Sequence, residues 1–167
     1  MADIAFLLLV FFLLVTTIDV DTGIYMELPP PLEEDQEPPE IPARNLLMVM
    51  VNAQGDVLIE GEFVSVREIR PTVKAFVTNE GRNPRFSDSP DKAIVSFKTE
   101  RRAQYEMYIR VLDEIKMAYL EIRNEFARDR FGVDYATYRA QLEPGELDVV
   151  RDTYKQRISI AEPDPGE

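Results

Sequence analysis

The sequence contains no cysteine and no histidine. Disulfides, thiol nucleophiles, metal sites built from Cys or His, and histidine-based acid–base catalysis are therefore excluded. Carboxylates are plentiful, with 31 Asp and Glu residues, but no pair of them stands in a recognisable catalytic setting. We therefore expect a protein that is not an enzyme and that has no catalytic residues, no cofactor and no metal site.

Positive charge is scarce. Only 19 Lys and Arg residues oppose the acids, and the formal net charge is -12 at pH 7. Because phosphate binding needs clustered Lys and Arg, we expect no nucleic-acid partner. No Lys or Arg precedes Arg44, although a secretory signal peptide needs a basic segment before its apolar run. The charge distribution therefore argues against a signal peptide.

One block near the N-terminus is strongly apolar. Residues 4–15 form an unbroken apolar run, and residues 16–18 extend it. A membrane helix needs about 20 such residues, so the run is slightly short, and the missing turn is expected upstream if Met1 is an internal methionine of a longer chain. A helix buried in a protein core is rarely apolar on every face. We predict a transmembrane helix over residues 1–18.

Residues 19–44 are predicted to be an extended linker rich in Pro and Glu. Apolar residues recur at even spacing from Ile18 to Leu28, which is typical of an extended segment. From Pro29 to Pro42, prolines alternate with acidic residues. Proline favours polyproline II structure and like charges repel each other, so this part of the chain is expected to be stiff and extended.

Residues 45–131 have the pattern of a small α+β domain. Leu46–Val51 and Val57–Ile59 are predicted strands joined by a turn that contains Gly55, and Ala93–Lys98 is a further predicted strand. Short β-rich segments between turn residues are typical of strands. The predicted fold class is α+β, with one N-terminal transmembrane helix, the linker, and a small domain with a long C-terminal helix.

The first helix of this domain has two possible starts. Ser65 and Glu68 have the spacing of a capping box, which favours a start at Ser65. Pro71 would then lie in the second turn, so the helix begins either at Ser65 or at Pro71. Gly81 follows its predicted end. Its apolar face is predicted to consist of Ile69, Val73, Phe76 and Val77.

The second helix is longer and is predicted over residues 103–130, with Gly132 ending it. Glu125 is expected to support its outer face by pairing with Arg128. Its apolar positions are Tyr105, Tyr108, Ile109, Leu112, Ile115, Tyr119, Ile122 and Phe126. Residues 132–167 are treated as a C-terminal extension with a frayed tail. Pro144 is expected to open a short helix there, with Leu147, Val150 and Tyr154 on one side.

Asp3 is the residue with the clearest chemical potential. A carboxylate beside an apolar helix is costly unless it has a purpose or reaches water. Desolvation disfavours the charged form of a carboxyl group, so such a group can load and release a proton. The other interpretation is a helix cap near the lipid headgroups, favoured by the helix dipole. These residues alone leave both interpretations open. The same side of the helix carries Phe6, Leu7, Val10, Leu14 and Thr17.

The stretch MADIAFLLLVFFLLVTTIDVD resembles the membrane segment of the ExbD/TolR biopolymer-transport family. The signature of that family is an aspartate at the start of a Leu/Val/Phe-rich helix, followed by an extended acidic exit. From Asp3 to Ile122 the order of elements is also similar: a Pro-rich spacer, NLLMVMVNAQGDVLIEGE, a helix, AIVSFKT, and a helix opening with QYEMYIRVLDEIKMAYLEI. The family's domain ends in a strand after its last helix, whereas AYLEIRNEFARDRFG stays helix-like here.

The resemblance implies a proton-driven energy-coupling subunit in the inner membrane. In that family the helix sits inside a multi-span ExbB or TolQ partner, and its aspartate accepts protons that enter down the electrochemical gradient. The domain lies in the periplasm and works with TonB. Asp3 would carry the proton, the five residues on its side of the helix would face the pore, and we expect the domain to be a weak homodimer. The alternative is a membrane-tethered periplasmic adaptor or cell-wall-binding module without proton translocation.

Overall fold

The computed structural model describes residues 2–16, 41–143 and 145–161. The chain divides into two compact units, residues 1–39 and residues 40–167. The described part of the first unit is a single helix. Residues 17–40, which include most of the predicted linker, lie outside the described residues.

In the first unit, α1 spans Ala2–Thr16 and is apolar except for Asp3 and Thr16. Its large apolar side chains from Ile4 to Phe11 are between 36% and 65% exposed. Among the described residues, no helix has both the length and the apolar character needed to cross a membrane. The transmembrane assignment stays a prediction.

The second unit has a mixed order of strands and helices that follows a 3-10 turn at Ala43–Asn45. Its strands are β1 (Leu46–Val51), β2 (Val57–Ile59), β3 (Glu62–Val64), β4 (Ile94–Thr99) and β5 (Ile158–Ala161). Its helices are α2 (Val66–Val77), α3 (Tyr105–Phe131), α4 (Tyr135–Gln141) and α5 (Val149–Thr153). The predicted α+β class with a long helix is confirmed.

The five strands form one mixed sheet in the order β3-β2-β1-β4-β5. β1 pairs antiparallel with β2 and parallel with β4, where Val49 lies opposite Phe97. β4 pairs parallel with β5, where Phe97 lies opposite Ile160. Three strands, β2, β1 and β4, therefore have a neighbour on each side, and β3 and β5 form the edges. We call the parallel pair β1 and β4 the central strands.

A tight turn at Glu60 and Gly61 produces β3, which the sequence pattern did not predict. Both residues have positive φ, 52° for Glu60 and 85° for Gly61. Positive φ at both central residues is what a type I′ hairpin turn requires. Glutamate is an uncommon choice at the first of these positions, because Asn and Asp adopt positive φ more readily. The residues Glu60 and Gly61 are therefore a weak sequence indication of a hairpin turn.

The segment 132–167 contributes β5 to the sheet. Gly132, with φ of 74°, ends α3 in the left-handed conformation that favours glycine, as predicted. The helices α4 and α5 separate β5 from α3.

The short helix expected near the C-terminus is α5, and its start differs from the prediction. Pro144 lies outside the described residues, and α5 begins at Val149 after the N-cap Asp148. Of the three apolar residues predicted on one side, Val150 is buried, Tyr154 is half-buried and Leu147 is 65% exposed. The helix is shorter than the pattern indicated because Leu147 precedes the cap.

The capping box fixes the start of α2 at Ser65, and the alternative start at Pro71 is wrong. The Ser65 N–H donates to Glu68 Oε2 at 2.7 Å. Pro71 lies inside the helix on its exposed side, where water can bond the Arg67 carbonyl that Pro71 leaves without an N–H partner. The four residues of the predicted apolar face, Ile69, Val73, Phe76 and Val77, are all buried.

The core lies between one face of the sheet and the helices α2 and α3. Val49 and Phe97 of the central strands are fully buried on this face. On the opposite face Met48 is 46% exposed, since no helix among the described residues covers it. From the predicted apolar face of α3, four residues are buried in the core, namely Leu112, Ile115, Tyr119 and Ile122. Tyr105 is instead 75% exposed, because it is the first residue of α3 and lies at the margin of the core. Its ring stacks on that of Tyr108, with the ring centroids 6.0 Å apart.

Replacement of Ile69 by alanine tests this core. Ile69 is 0% exposed, so Ile69→Ala is expected to lower the free energy of unfolding by about 2–5 kcal/mol through lost burial and a cavity. The control is Leu120→Ala, because Leu120 is 41% exposed and its loss is expected to cost only about 0.5 kcal/mol. Urea unfolding of the full-length protein in detergent, monitored by circular dichroism, measures the loss of unfolding free energy in each variant. Equal losses would contradict the assigned core.

Candidate functional site

Asp3 lies in the first turn of α1 and is exposed. Helical spacing places Phe6, Leu7 and Val10 on the same side, and their side chains are 64%, 64% and 36% exposed. Leu14 belongs to the same helix, and Thr17 lies outside the described residues. The proton-carrying role of Asp3 and the pore-facing role of this side of the helix stay predictions.

A second feature is a set of contacts at the point where the chain enters the domain. Arg44 Nη1 lies 2.9 Å from Asp88 Oδ1. Asn45 is only 2% exposed, and its Oδ1 accepts a hydrogen bond from the Asp88 N–H at 2.9 Å while its Nδ2 donates to Asp88 Oδ2 at 3.3 Å. Three contacts therefore fasten the first residues of the domain to Asp88, and we call this set the entry anchor.

Buried polar residues hold the loop that carries Asp88. Asn79 donates from Nδ2 to the carbonyl oxygens of Asn83 and Ser87, at 2.9 and 2.8 Å, and its Oδ1 accepts from the Asn83 N–H at 2.8 Å. The Ser87 hydroxyl, which is fully buried, donates to the Phe76 carbonyl at the end of α2. The polar side chains of this segment supply hydrogen-bond partners to backbone groups inside the domain.

An ion network joins α2 to α3. Arg70 lies 2.8 Å from Glu114 and 2.9 Å from Glu121, and Lys74 lies 3.1 Å from Glu121 and 2.6 Å from Glu125. Glu125 therefore pairs with α2 instead of with Arg128 of its own helix. The hydrogen bond from Arg70, and then that from Lys74, lower the pKa of Glu121 because both stabilise its charged form.

No three or more Asp and Glu side chains converge on a potential metal site within residues 2–16, 41–143 and 145–161. The features that the structure does present are an apolar helix with one carboxylate near its start and a two-layer domain fastened at its entry. They define a two-part protein, with an apolar helix as one unit and an α+β domain as the other.

The family model of the biopolymer transport protein ExbD/TolR matches residues 1–125. The chain belongs to the ExbD/TolR family. This membership supports an energy-transducing role in biopolymer transport. Proteins of this family are in general inner-membrane proteins that work with ExbB- or TolQ-type partners, and in general they are not enzymes. No curated protein matches the chain.

The match ends within α3. The last turns of α3, both short helices and β5 lie beyond residue 125.

Removal of one carboxylate tests the ion network. Since the pKa of Glu121 is lowered, its stabilisation is complete above the ordinary value of 4.5 and is lost as the pH falls through the lowered pKa. Glu121→Gln is expected to lower the free energy of unfolding by about 0.5 kcal/mol at pH 7, a value discounted for solvent screening. The difference from the wild type is expected to vanish in acid, which urea titrations at several pH values would measure.

The matched control is Asp113→Asn, because Asp113 is an exposed acid of the same helix and forms no ion pair within the described residues. Its effect on stability is expected to be smaller at pH 7. An Asp113 effect as large and as pH-dependent as that of Glu121 would contradict the assignment.

Proposed function

We propose that this chain is an ExbD-like subunit of an inner-membrane proton channel or motor that couples the proton motive force to TonB-dependent outer-membrane transport. A TolR-like role in envelope maintenance would use the same helix and domain. The observation that carries the proposal is Asp3, the sole ionisable side chain from Met1 to Ile18. It stands in the first turn of an apolar helix, inside the segment that the family model matches.

The physical argument concerns the energy of a moving charge. One elementary charge that crosses the membrane potential is worth ~2.3 kcal/mol per 100 mV. A motor can draw on that energy only through a group that alternates between its charged and neutral forms within the membrane. Asp3 is the side chain of this segment that can do so. The side of α1 that Asp3 shares with Phe6, Leu7, Val10, Leu14 and Thr17 would face the proton path.

The proposal has a definite topology. Residues 1–18 cross the inner membrane once, residues 19–44 are the tether, and the domain from residue 45 lies in the periplasm. The accessible apolar side chains of α1 support an environment of lipid and of an ExbB/TolQ-like multi-span partner. The domain engages a TonB-like energy transducer and forms a homodimer, for which the edge strands β3 and β5 offer unpaired backbone groups.

A membrane-tethered periplasmic adaptor or cell-wall-binding module is the second candidate. The position of Asp3 in the first turn of α1 favours it, because the helix dipole stabilises a carboxylate there without any proton transfer. The two candidates differ in whether Asp3 must titrate.

The topology can be tested with reporters. Alkaline phosphatase fused after residue 44 is expected to be active, since it folds outside the cytoplasm, and green fluorescent protein at the same position is expected to be dark after export through the general secretory route. The reverse pattern would place the domain in the cytoplasm and refute the proposed topology.

The proton-carrying role predicts opposite outcomes for two substitutions of Asp3. Asp3→Asn keeps the size and much of the hydrogen bonding but cannot release a proton, so it is expected to assemble with the ExbB-like partner and to abolish energy-dependent uptake. Asp3→Glu keeps the titratable group and is expected to retain part of the activity. Uptake of a TonB-dependent substrate, at matched protein levels, measures both.

Asp19→Asn is the matched control, because Asp19 is the first acidic residue after the apolar run and is expected to be dispensable for uptake. The adaptor candidate makes a different prediction, since Asp3→Asn then removes only an interaction with the helix dipole, worth about 0.3–1 kcal/mol at an exposed site, and no proton transfer. Normal uptake by Asp3→Asn would therefore refute the proton-carrier role and favour the adaptor.

A further inference from the structure

The segment beyond the family match builds a second, smaller core. Ala127 of α3, Tyr135 and Tyr138 of α4, and Val150 of α5 are buried together. Phe131 stacks on Tyr138 with ring centroids 4.5 Å apart. The helices α4 and α5 thus pack against the C-terminal half of α3.

A cleft opens between α3 and α4 at the edge of this smaller core. Its volume is about 400 Å³, and it is an open cleft on the surface of the domain. The residues that line it are Leu120, Asn124, Arg128, Asp134, Tyr135, Ala136 and Arg139.

Hydrogen-bond donors dominate the polar lining of the cleft. Arg128 forms no ion pair shorter than 4.0 Å within the described part of the chain, and Arg139 has one, to Asp148 at 3.8 Å. That Asp148 oxygen already accepts the Tyr135 hydroxyl at 2.8 Å. Asn124 Oδ1 accepts the Tyr135 N–H at 3.0 Å, which leaves the Asn124 amide nitrogen as a donor. Two guanidinium groups and one amide therefore have unused donor capacity.

The single acid of the lining, Asp134, uses one carboxylate oxygen as a helix cap. Asp134 Oδ1 accepts the Thr137 N–H at 2.7 Å as the N-cap of α4. This backbone hydrogen bond is the main cause that lowers the pKa of Asp134, and the positive charge of Arg128 also lowers it. Leu120, at 41% exposure, and the Tyr135 ring supply apolar surface between the cations.

We propose that the cleft between α3 and α4 binds the side-chain carboxylate of an acidic peptide, with Arg128 and Arg139 as the carboxylate-binding residues. A carboxylate accepts the paired N–H groups of a guanidinium, which makes such bonds stronger than neutral ones. The aliphatic stem of a glutamate fits against Leu120 and Tyr135, and Asn124 donates to the peptide backbone. This site is independent of Asp3, so it stands whichever function proves correct.

Amide NMR of the full-length protein in detergent tests the site. Titration with the capped dipeptide acetyl-Glu-Glu-amide is expected to give saturable shifts at Asn124, Arg128 and Ala136. Acetyl-Gln-Gln-amide is expected to give none. Arg128→Gln and Arg139→Gln are each expected to weaken binding about tenfold, which is the usual effect of losing a hydrogen bond to a charged group.

Arg110→Gln is the matched control, because Arg110 is an exposed arginine of the same helix outside the cleft, and binding is expected to be unchanged. The wild-type pattern of the other amide signals verifies that each variant is folded. Two results would overturn the proposal: no saturable shift with the glutamate dipeptide, or equal binding by the Arg128 and Arg110 variants. Free glutamate binding as tightly as the capped dipeptide would assign the cleft to small carboxylates and overturn the peptide assignment.

Discussion

The parallel pairing of β1 with β4 is the constraint on which the rest of the domain depends. Parallel neighbours cannot be joined by a tight turn, so the chain must cross the sheet between Val51 and Ile94. β2, β3, α2 and the loop after α2 make this crossing, and α2 covers one face of the sheet on the way. Val49 and Phe97 become fully buried because α2 and α3 pack over the strands that this pairing brings together.

Burial, more than the ion network, holds the two helices on the sheet. A fully buried aliphatic side chain contributes roughly 1.5–3 kcal/mol, whereas a partly exposed ion pair contributes about 0–1 kcal/mol. Ile69 and Val73 are both 0% exposed, and they lie on the helix that also carries Arg70 and Lys74. The ion pairs therefore make the packing of α2 against α3 sensitive to pH, while the apolar residues decide that the helices pack at all.

The elements that the sequence predicted well have signals close together in the chain. Ser65 with Glu68 marks the start of α2, and Gly132 marks the end of α3. β5 has only four residues, and they form a strand because β4 offers an open edge. Its first residue, Ile158, pairs with Val95, which lies 63 residues earlier in the chain. Lys74 and Glu125 are 51 residues apart, so no local sequence pattern could predict their ion pair. For Asp3, the helix could be predicted from the sequence but the role of the side chain could not. A stabilising carboxylate at the helix start and a proton carrier would both be an aspartate at this position.

The place where the proposed tether would join the domain decides how a pull on that tether would be resisted. Arg44 and Asn45 bind Asp88, and the next residue begins β1, which has hydrogen-bonded neighbours on both sides. A pull along a central strand loads both ladders of hydrogen bonds together, whereas an edge strand can be peeled away one bond at a time. Since the loop that carries Asp88 leads into β4, the entry anchor ties the tether to the two central strands at once. The proposed subunit, whose helix would collect energy and whose domain would act through the predicted linker, requires this resistance to unfolding.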